Sequence, residues 1–261
     1  MTYGSPFAGA TVKIHRGRQH LADLRRAEHE FALREGTQFL LPGGPVQDGK
    51  FNVTYMTQNL MPLEFATVVG DSVHNIRTAF DYCAVALTKP PLGSGDGIRA
   101  AFPTGENPER FQSFLRTIMH DASVSARLML ERLQPYPGGK YLLRELHELD
   151  LADKHNLLIP SISKLKVYKL DVSIGGHRVA LGPQDFLSQD GRVFNATVSV
   201  PPGASGDVKL DGQFGMNFEI AFGPGQPLQG RPVFETLSQI SETASRFVEE
   251  CESLHRNPTT D

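Results

Sequence analysis

The sequence has only two cysteines among its 261 residues and no run of about 18 consecutive apolar residues of the kind that spans a membrane. Two cysteines cannot build the disulfide framework of a small secreted domain. Cys83 and Cys251 fall at apolar helical positions, which predicts reduced thiols in a core. The first residues also lack the cationic and apolar segments of an export signal. We therefore expect a cytoplasmic protein without a membrane span.

A strong net charge is missing as well. The chain has 26 basic and 29 acidic residues and a formal net charge of −3, so no overall field would recruit nucleic acid or an anionic membrane. The common catalytic signatures are absent too: there is no phosphate-binding glycine loop, no dinucleotide fingerprint, no nucleophile elbow and no Cys-x-x-Cys pair. A local basic patch stays open, because four arginines crowd one early segment: Arg16, Arg18, Arg25 and Arg26.

Helical periodicity dominates the two ends of the chain. Apolar residues recur there at steps of three and four, and Asn, Ser and Pro stand at positions that start helices. One segment alternates apolar and polar residues as a half-buried strand does. The predicted elements are a surface helix at 11–35, a strand at 50–57, and helices at 62–88, 107–119, 123–133, 140–158 and 232–254.

Residues 161–225 have a different character, with short β-branched runs separated by Gly, Pro, Asn and Asp. Gly175-Gly176 is the clearest two-residue hairpin turn, and the alternation changes phase near Tyr168, which predicts a bulge. We expect an antiparallel β insertion, because the last helix should return to the bundle. The predicted fold is therefore α+β, mainly a helical bundle built from 9–160 and 232–255 with an antiparallel β insertion before the C-terminal helix.

The helix at 62–88 carries two contrasting sides. One side is an apolar wall of the kind that faces a core. The other side is polar and contains residue types that serve in binding and catalysis. The apolar wall consists of Val69, Val73, Ile76, Phe80, Cys83 and Leu87, and the polar side consists of Asp71, His74, Arg77, Thr78 and Asp81.

The helix at 140–158 places two carboxylates, Asp150 and Asp153, on its apolar face. Burying an ion costs several kcal/mol unless it is paired or hydrogen-bonded. The sequence offers Arg77 and His74 on the other helix, and Lys154 and His155 nearby, as partners. We therefore predict an Arg/His/Asp network between the two helices. On this prediction, Asp153→Asn and Arg77→Ala should both be strongly destabilising or inactivating.

Two simpler interpretations compete with this network. The polar side of the first helix could be a solvated face with an ordinary Arg77–Asp81 pair. The second helix could end near Leu149, with Asp150 capping a following turn. His147 and His155 fall off the apolar face and would then be surface histidines.

A divalent metal site is the first of two sharper interpretations. Asp71-x-x-His74 and His147-x-x-Asp150 each place a carboxylate and an imidazole one helical turn apart. The usual pattern is Glu-x-x-His with further Glu residues, however, and one of the two pairs here runs in reverse order. No cofactor is therefore predicted, and these four residues are weak metal candidates.

Ribonuclease activity of the kind found in helical HEPN domains is the second. Those domains use an Arg and a His separated by four to six residues, whereas Arg16 and His20, Arg25 and His29, and Arg116 and His120 are each separated by only three. A composite site that combines Arg77 with His74 or His155 could still hold a phosphate.

One resemblance joins the two polar helices. The chain resembles a group of uncharacterised bacterial proteins in three successive runs. These runs are Gly70-Asp71-x-Val-His74-Asn75-Ile-Arg77-x-Ala-Phe-Asp81, then Gln134-Pro135-Tyr136, then Leu146-x-x-Leu149-Asp150-x-x-Asp153-Lys154-His155. Those proteins have a G-D-x-x-H-N-x-R-x-x-x-D helix and a later L-D-x-x-D-K-H helix. The resemblance covers roughly residues 15 to 160 and part of the last helix. It implies that the two polar stripes belong together, and it carries no established activity.

The sequence thus favours a cytoplasmic bacterial binding or interaction protein. The network would be mainly structural, and the β segment would present a surface to a protein partner or to a second copy of the chain. The alternative is a hydrolase or ribonuclease, with or without a divalent metal, and nucleic acid is expected only under it. The catalytic candidates would be His74, Arg77, Asp150, Asp153 and His155. An enzyme needs these side chains to line an open cleft, whereas a structural network needs them buried and bonded to one another.

Overall fold

The computed structural model describes residues 4–35, 40–57, 61–88, 101–168, 170–188, 192–210 and 216–257. These residues form helices and antiparallel strands, which confirms the predicted α+β fold class. The helices are α1 (Ala8–Glu35), α2 (Leu63–Leu87), α3 (Pro108–Ile118), α4 (Val124–Leu133), α5 (Leu143–His155) and α6 (Val233–Arg256). The strands are β1 (Leu40–Pro42), β2 (Lys50–Met56), β3 (Pro160–Val167), β4 (Leu170–Ile174), β5 (His177–Leu181), β6 (Gln184–Ser188), β7 (Val193–Ser199), β8 (Val208–Leu210) and β9 (Met216–Phe222).

Helix α2 is the centre of the helical layer, with α1, α5 and α6 packed against it. Helices α1 and α2 approach closely at Gly17, where an added Cβ would lie 2.8 Å from the Ile76 side chain. At the same place the Ser72 hydroxyl donates to the Gly17 carbonyl at 3.0 Å. On the α6 side, the rings of Phe80 and Phe247 stack with centroids 5.5 Å apart. None of the helices in the described ranges has the length and apolar character needed to cross a membrane.

Two of the early arginines fasten α1 to α6. Arg18 donates to the Ser241 hydroxyl at 3.1 Å and to the Ser241 carbonyl at 3.2 Å. The Arg25 guanidinium lies 4.2 Å from the centroid of the Phe234 ring, a distance at which cation–π attraction contributes. Half of the suspected basic patch therefore serves helix packing.

The main sheet has six strands in the order β1-β2-β7-β6-β3-β9, and β5-β4-β8 form a smaller sheet. Strand β2 pairs with β7 along its whole length, from Lys50 opposite Ser199 to Met56 opposite Val193. The β segment is therefore not self-contained, because two strands from the N-terminal part of the chain complete its sheet. One continuous hydrophobic core includes residues from the helices and from both sheets.

Alternate residues of the main sheet face this core, among them Phe51, Val53, Phe186, Phe194 and Phe218. Between them, five residues from neighbouring strands form a row on the opposite face, which we name the outer row. The register places these residues side by side in the order Thr54, Asn195, Leu187, Lys164 and Glu219.

Several predicted boundaries change in the structure. The hairpin turn at Gly175-Gly176 is confirmed between β4 and β5, and both glycines have positive φ angles of 55° and 88°. The bulge lies between Ile162 and Lys164, earlier than predicted. Strands β1 and β6 were not predicted, because β1 ends at Pro42 in a segment rich in proline and glycine, and β6 has only two apolar residues, Phe186 and Leu187. Helix α5 is shorter than its predicted range, since Leu142 adopts a left-handed conformation before its first turn.

Candidate functional site

Asp150 lies on the buried side of α5, and 4% of its surface is exposed. It shares this side with Leu143, Leu146 and Leu149, as the periodicity of the sequence predicts. The helix continues through Asp150 to His155. The interpretation in which the helix ends near Leu149 and Asp150 caps a turn is therefore wrong.

Both oxygens of Asp150 are bonded. Its Oδ1 lies 2.9 Å from Nδ1 of His74 on α2, and its Oδ2 lies 2.5 Å from Nζ of Lys154 on α5. Burial by itself would raise the pKa of Asp150, but the hydrogen bonds from Lys154 and His74 outweigh it and hold the pKa below its usual value. Asp150 is thus an ionised carboxylate that joins α5 to α2.

Asp153 lies one turn further along α5, against Gly70 of α2. A Cβ atom at Gly70 would collide with the Asp153 carboxylate, so a larger residue there would force the Asp153 side chain to move. Burial, and then repulsion from Asp150 and Asp71, raise the pKa of Asp153, although His74 and a hydrogen bond from the Leu158 backbone oppose the rise. The predicted single network of Asp150, Asp153, His74 and Arg77 is therefore wrong: Asp150 pairs with His74, whereas Asp153 lies near the carboxylates of Asp150 and Asp71.

Arg77 makes a separate buried cluster. Its Nη1 lies 2.6 Å from Oδ1 of Asp81, four residues later in α2. Its Nη2 donates to the Phe102 carbonyl at 3.3 Å, and the Phe102 N–H donates to Asp81 Oδ1 at 2.9 Å. The Arg77–Asp81 pair therefore exists, but it is not a solvated surface pair, since 6% of Arg77 is exposed. Its role is to hold the segment that contains Phe102 on α2.

His147 lies near both clusters, because Arg77 and Asp81 of the second and Asp150 of the first all act on its charge. Among the described residues, its Nδ1 and the Nε of Arg77 are buried without a hydrogen-bond partner. Burial, then the charges of Arg77 and Arg144, lower the pKa of His147. A histidine in this environment stays neutral at pH 7.

The weak metal candidates Asp71, His74, His147 and Asp150 do not form a metal site. In the part of the chain that the structure describes, no group of three or more His, Cys, Asp or Glu side chains could hold a metal ion. The Lys154 ammonium already supplies a cation to Asp150. His155, another candidate, is exposed at the end of α5.

His74 is the most open member of the first cluster, with 50% of its side chain exposed. Because Nδ1 is bonded to Asp150, the other ring nitrogen, Nε2, is directed away from the carboxylate and lies 3.5 Å from the Thr78 hydroxyl. A buried carboxylate that orients an exposed imidazole is an arrangement that can serve acid–base chemistry.

Sequence reasoning missed one further buried acid, Glu28 of α1. Its Oε1 accepts a hydrogen bond from the Phe218 N–H at 3.0 Å, on the open edge of strand β9. Burial raises the pKa of Glu28, although this bond and the charge of Arg25 oppose the rise. The signal was present in the sequence, because Glu28 stands at helical spacing between the buried residues Leu24 and Phe31.

Comparisons of the chain with models of protein families, with curated proteins and with solved structures found no match. The geometry of the two clusters is therefore the basis for a functional proposal.

Proposed function

We propose that the chain is a binding or interaction protein in which the polar network between its helices is a structural lock. The observation that carries this proposal is the burial of the charged residues: 6% of the Asp150 side chain and 7% of the Arg77 side chain are exposed. Each of the two is bonded to more than one partner. Although Nε and Nη1 of Arg77 make no hydrogen bond within the described residues, we infer that the pairing of these buried charges fixes the elements that supply them.

The lock has two parts that meet on α2. In the first part, Asp150 joins α5 to His74. In the second part, Arg77 and Asp81 hold the backbone of Phe102 through its N–H and its carbonyl. Helix α2 would thus fix the positions of α5 and of the segment that contains Phe102.

The outer row of the main sheet is the surface we propose for a partner. At its centre lies Leu187, whose surface is 62% exposed. Asn195 on one side and Lys164 on the other are opposite Leu187 in the sheet register. An apolar centre with a polar rim is the arrangement found in protein–protein interfaces. A second copy of the chain could occupy it as well. The cytoplasmic location and bacterial source expected from the sequence remain part of this proposal.

Substitution of Leu187 tests this surface. Leu187→Ser should abolish partner capture from a cell extract, or self-association measured by light scattering, without changing the melting temperature. Leu63→Ser is the matched control, because Leu63 is 61% exposed but belongs to the first turn of α2. The proposed surface is wrong if both variants lose binding equally, or if wild-type protein neither binds a partner nor self-associates.

The alternative function is a hydrolase or ribonuclease. The observation that favours it is His74, which is half exposed and oriented by a buried Asp150. The Lys154 side chain is 51% exposed beside them and could bind a phosphate group. His155 and Asp153 would belong to the same site.

Cleavage of single-stranded RNA by purified protein, with and without a metal chelator, separates the two functions. The lock requires no turnover in either condition. The enzyme alternative requires cleavage that His74→Gln abolishes while the melting temperature stays unchanged, and such a result would replace the lock as the function of this cluster.

A further inference from the structure

Cys83 and Cys251 are the two cysteines of the chain. Cys83 lies on α2 and Cys251 on α6, and neither has any exposed surface. Both thiols are free. They are 251 − 83 = 168 positions apart in the sequence, so their meeting is a product of the tertiary fold.

The two thiols are neighbours in the interface between α2 and α6. Both side chains are fully buried on helices that pack against each other, and the Cys83 thiol is the group that acts most strongly on Cys251. About one turn earlier on each helix, Phe80 and Phe247 stack with their centroids 5.5 Å apart. On α2 Phe80 precedes Cys83, and on α6 Phe247 precedes Cys251, so the ring pair and the thiol pair come in the same order on both helices. Helices α2 and α6 are in direct contact, as a disulfide between them requires.

We propose that Cys83 and Cys251 are a modification site at which a peroxide forms a reversible disulfide that fastens α6 to α2. The thiolate of one cysteine attacks an oxygen of hydrogen peroxide, the O–O bond breaks, and hydroxide leaves. The sulfur of the other cysteine then attacks the sulfenic acid, the S–O bond breaks, and the oxygen leaves as water. In sum, two thiols are oxidised to one disulfide, and one peroxide is reduced to two waters.

The environment of the pair sets the rate of this reaction. The hydrogen bond with Cys83, and then burial, raise the pKa of Cys251 far above its usual range. Because the thiolate is the nucleophile, the closed interface reacts slowly. Because both thiols are fully buried, the proposed oxidation requires a local opening that admits the oxidant, and we expect it only under sustained oxidant. Ordinary cellular thiols reverse the bond by exchange.

The oxidised protein should be more stable than the reduced one. A cross-link that closes a long loop restricts the unfolded chain. For a chain of this size we expect the melting temperature to rise by roughly 5–15 °C. The helix α6 that it fastens closes the bundle over α2, which carries His74 and Arg77. The proposal does not depend on the function of that polar network.

The test uses the native full-length chain incubated with hydrogen peroxide and analysed by mass spectrometry after alkylation in denaturant. We expect a loss of about 2 Da per chain, a cross-linked peptide pair that contains Cys83 and Cys251, a higher melting temperature, and reversal of all three by a reductant. Cys83→Ala and Cys251→Ala each retain one thiol and should show none of these changes. The proposal is overturned if both thiols of the treated protein remain free to alkylate, if they carry added oxygens without a cross-link, or if they link only between chains.

Discussion

Helix α5 comes against α2 at Gly70, where the Asp153 carboxylate occupies the space that any other side chain would need. The pKa of this carboxyl is raised by burial and by the nearby Asp150 and Asp71. Ionisation of Asp153 therefore lowers the stability of the folded protein, and a neutral side chain of the same shape should be tolerated. For this reason the structure reverses the expectation that Asp153→Asn is strongly destabilising.

A double-mutant cycle tests the contact between Gly70 and Asp153. Alanine favours a helix over glycine by about 1 kcal/mol, yet Gly70→Ala should lower the free energy of unfolding by roughly 1–3 kcal/mol, since its methyl group meets Asp153. In an Asp153→Ala background the same change should be neutral or stabilising. Urea unfolding of the four proteins measures the coupling. If Gly70→Ala has the same effect in both backgrounds, the two residues do not constrain each other.

Glu28 gives a pH dependence with a defined sign. Its folded-state pKa is raised above the ordinary value of 4.5. Stability from Glu28 is therefore fully present below pH 4.5 and is lost as the pH rises through the folded-state pKa. Glu28→Gln keeps an acceptor for the Phe218 N–H but does not ionise. Relative to wild type, this variant should gain stability between pH 4.5 and pH 7.

Unfolding by urea across this pH range measures the effect. Glu30→Gln is a control on the same helix, because Glu30 is exposed. If the difference in stability between Glu28→Gln and wild type is constant from low to neutral pH, the carboxyl of Glu28 does not titrate as the structure requires.

At the scale of elements, the segment that contains Phe102 depends on a side chain of α2. Asp81 accepts the Phe102 N–H and pairs with Arg77, which holds the Phe102 carbonyl. Asp81→Ala removes the acceptor and leaves the Arg77 charge buried without its carboxylate. We expect faster hydrogen exchange at the Phe102 amide and its neighbours, while exchange in the middle of α6 stays slow.

Thr78→Ala is the matched control for this experiment, because Thr78 is on the same polar side of α2 but bonds to His74 of its own helix. If Asp81→Ala and Thr78→Ala leave exchange at Phe102 equally slow, then the segment is held by packing and not by the charged pair.

Helices could be predicted from the sequence because their signals are local. Asn107 and Ser123 cap α3 and α4 as predicted, and each accepts a hydrogen bond from a backbone N–H three residues later. The buried position of Asp150 also followed from periodicity. The spacing offered Asp81 as one partner of Arg77, but the other partner, the carbonyl of Phe102, could not be predicted, because a residue pattern does not show which main-chain atoms a side chain meets. The role of Gly70 could not be predicted either, because it depends on how closely α5 approaches α2.

At the scale of the whole molecule, the sheet joins distant parts of the chain. Strand β2 pairs with β7, which follows it by more than a hundred positions. Sequence patterns predicted a strand at the position of β2 and one at the position of β7. They did not predict that the two pair, because pairing is decided by where the hydrophobic faces meet. The helical bundle and the β segment consequently share one core. We expect the chain to unfold as a unit, so stability lost in one cluster should appear in the whole transition.

If the chain unfolds as a unit, its free energy of unfolding measures directly how much the proposed lock contributes to stability. The free energy of unfolding of Asp150→Ala, measured with urea at pH 7, is the most direct test. The variant leaves His74 without its acceptor and Lys154 without its carboxylate. Both of these partners are half exposed, so we expect a moderate loss of roughly 1–3 kcal/mol, larger than that of Lys154→Ala. A structural lock is contradicted if Asp150→Ala unfolds at the same urea concentration as the wild-type protein.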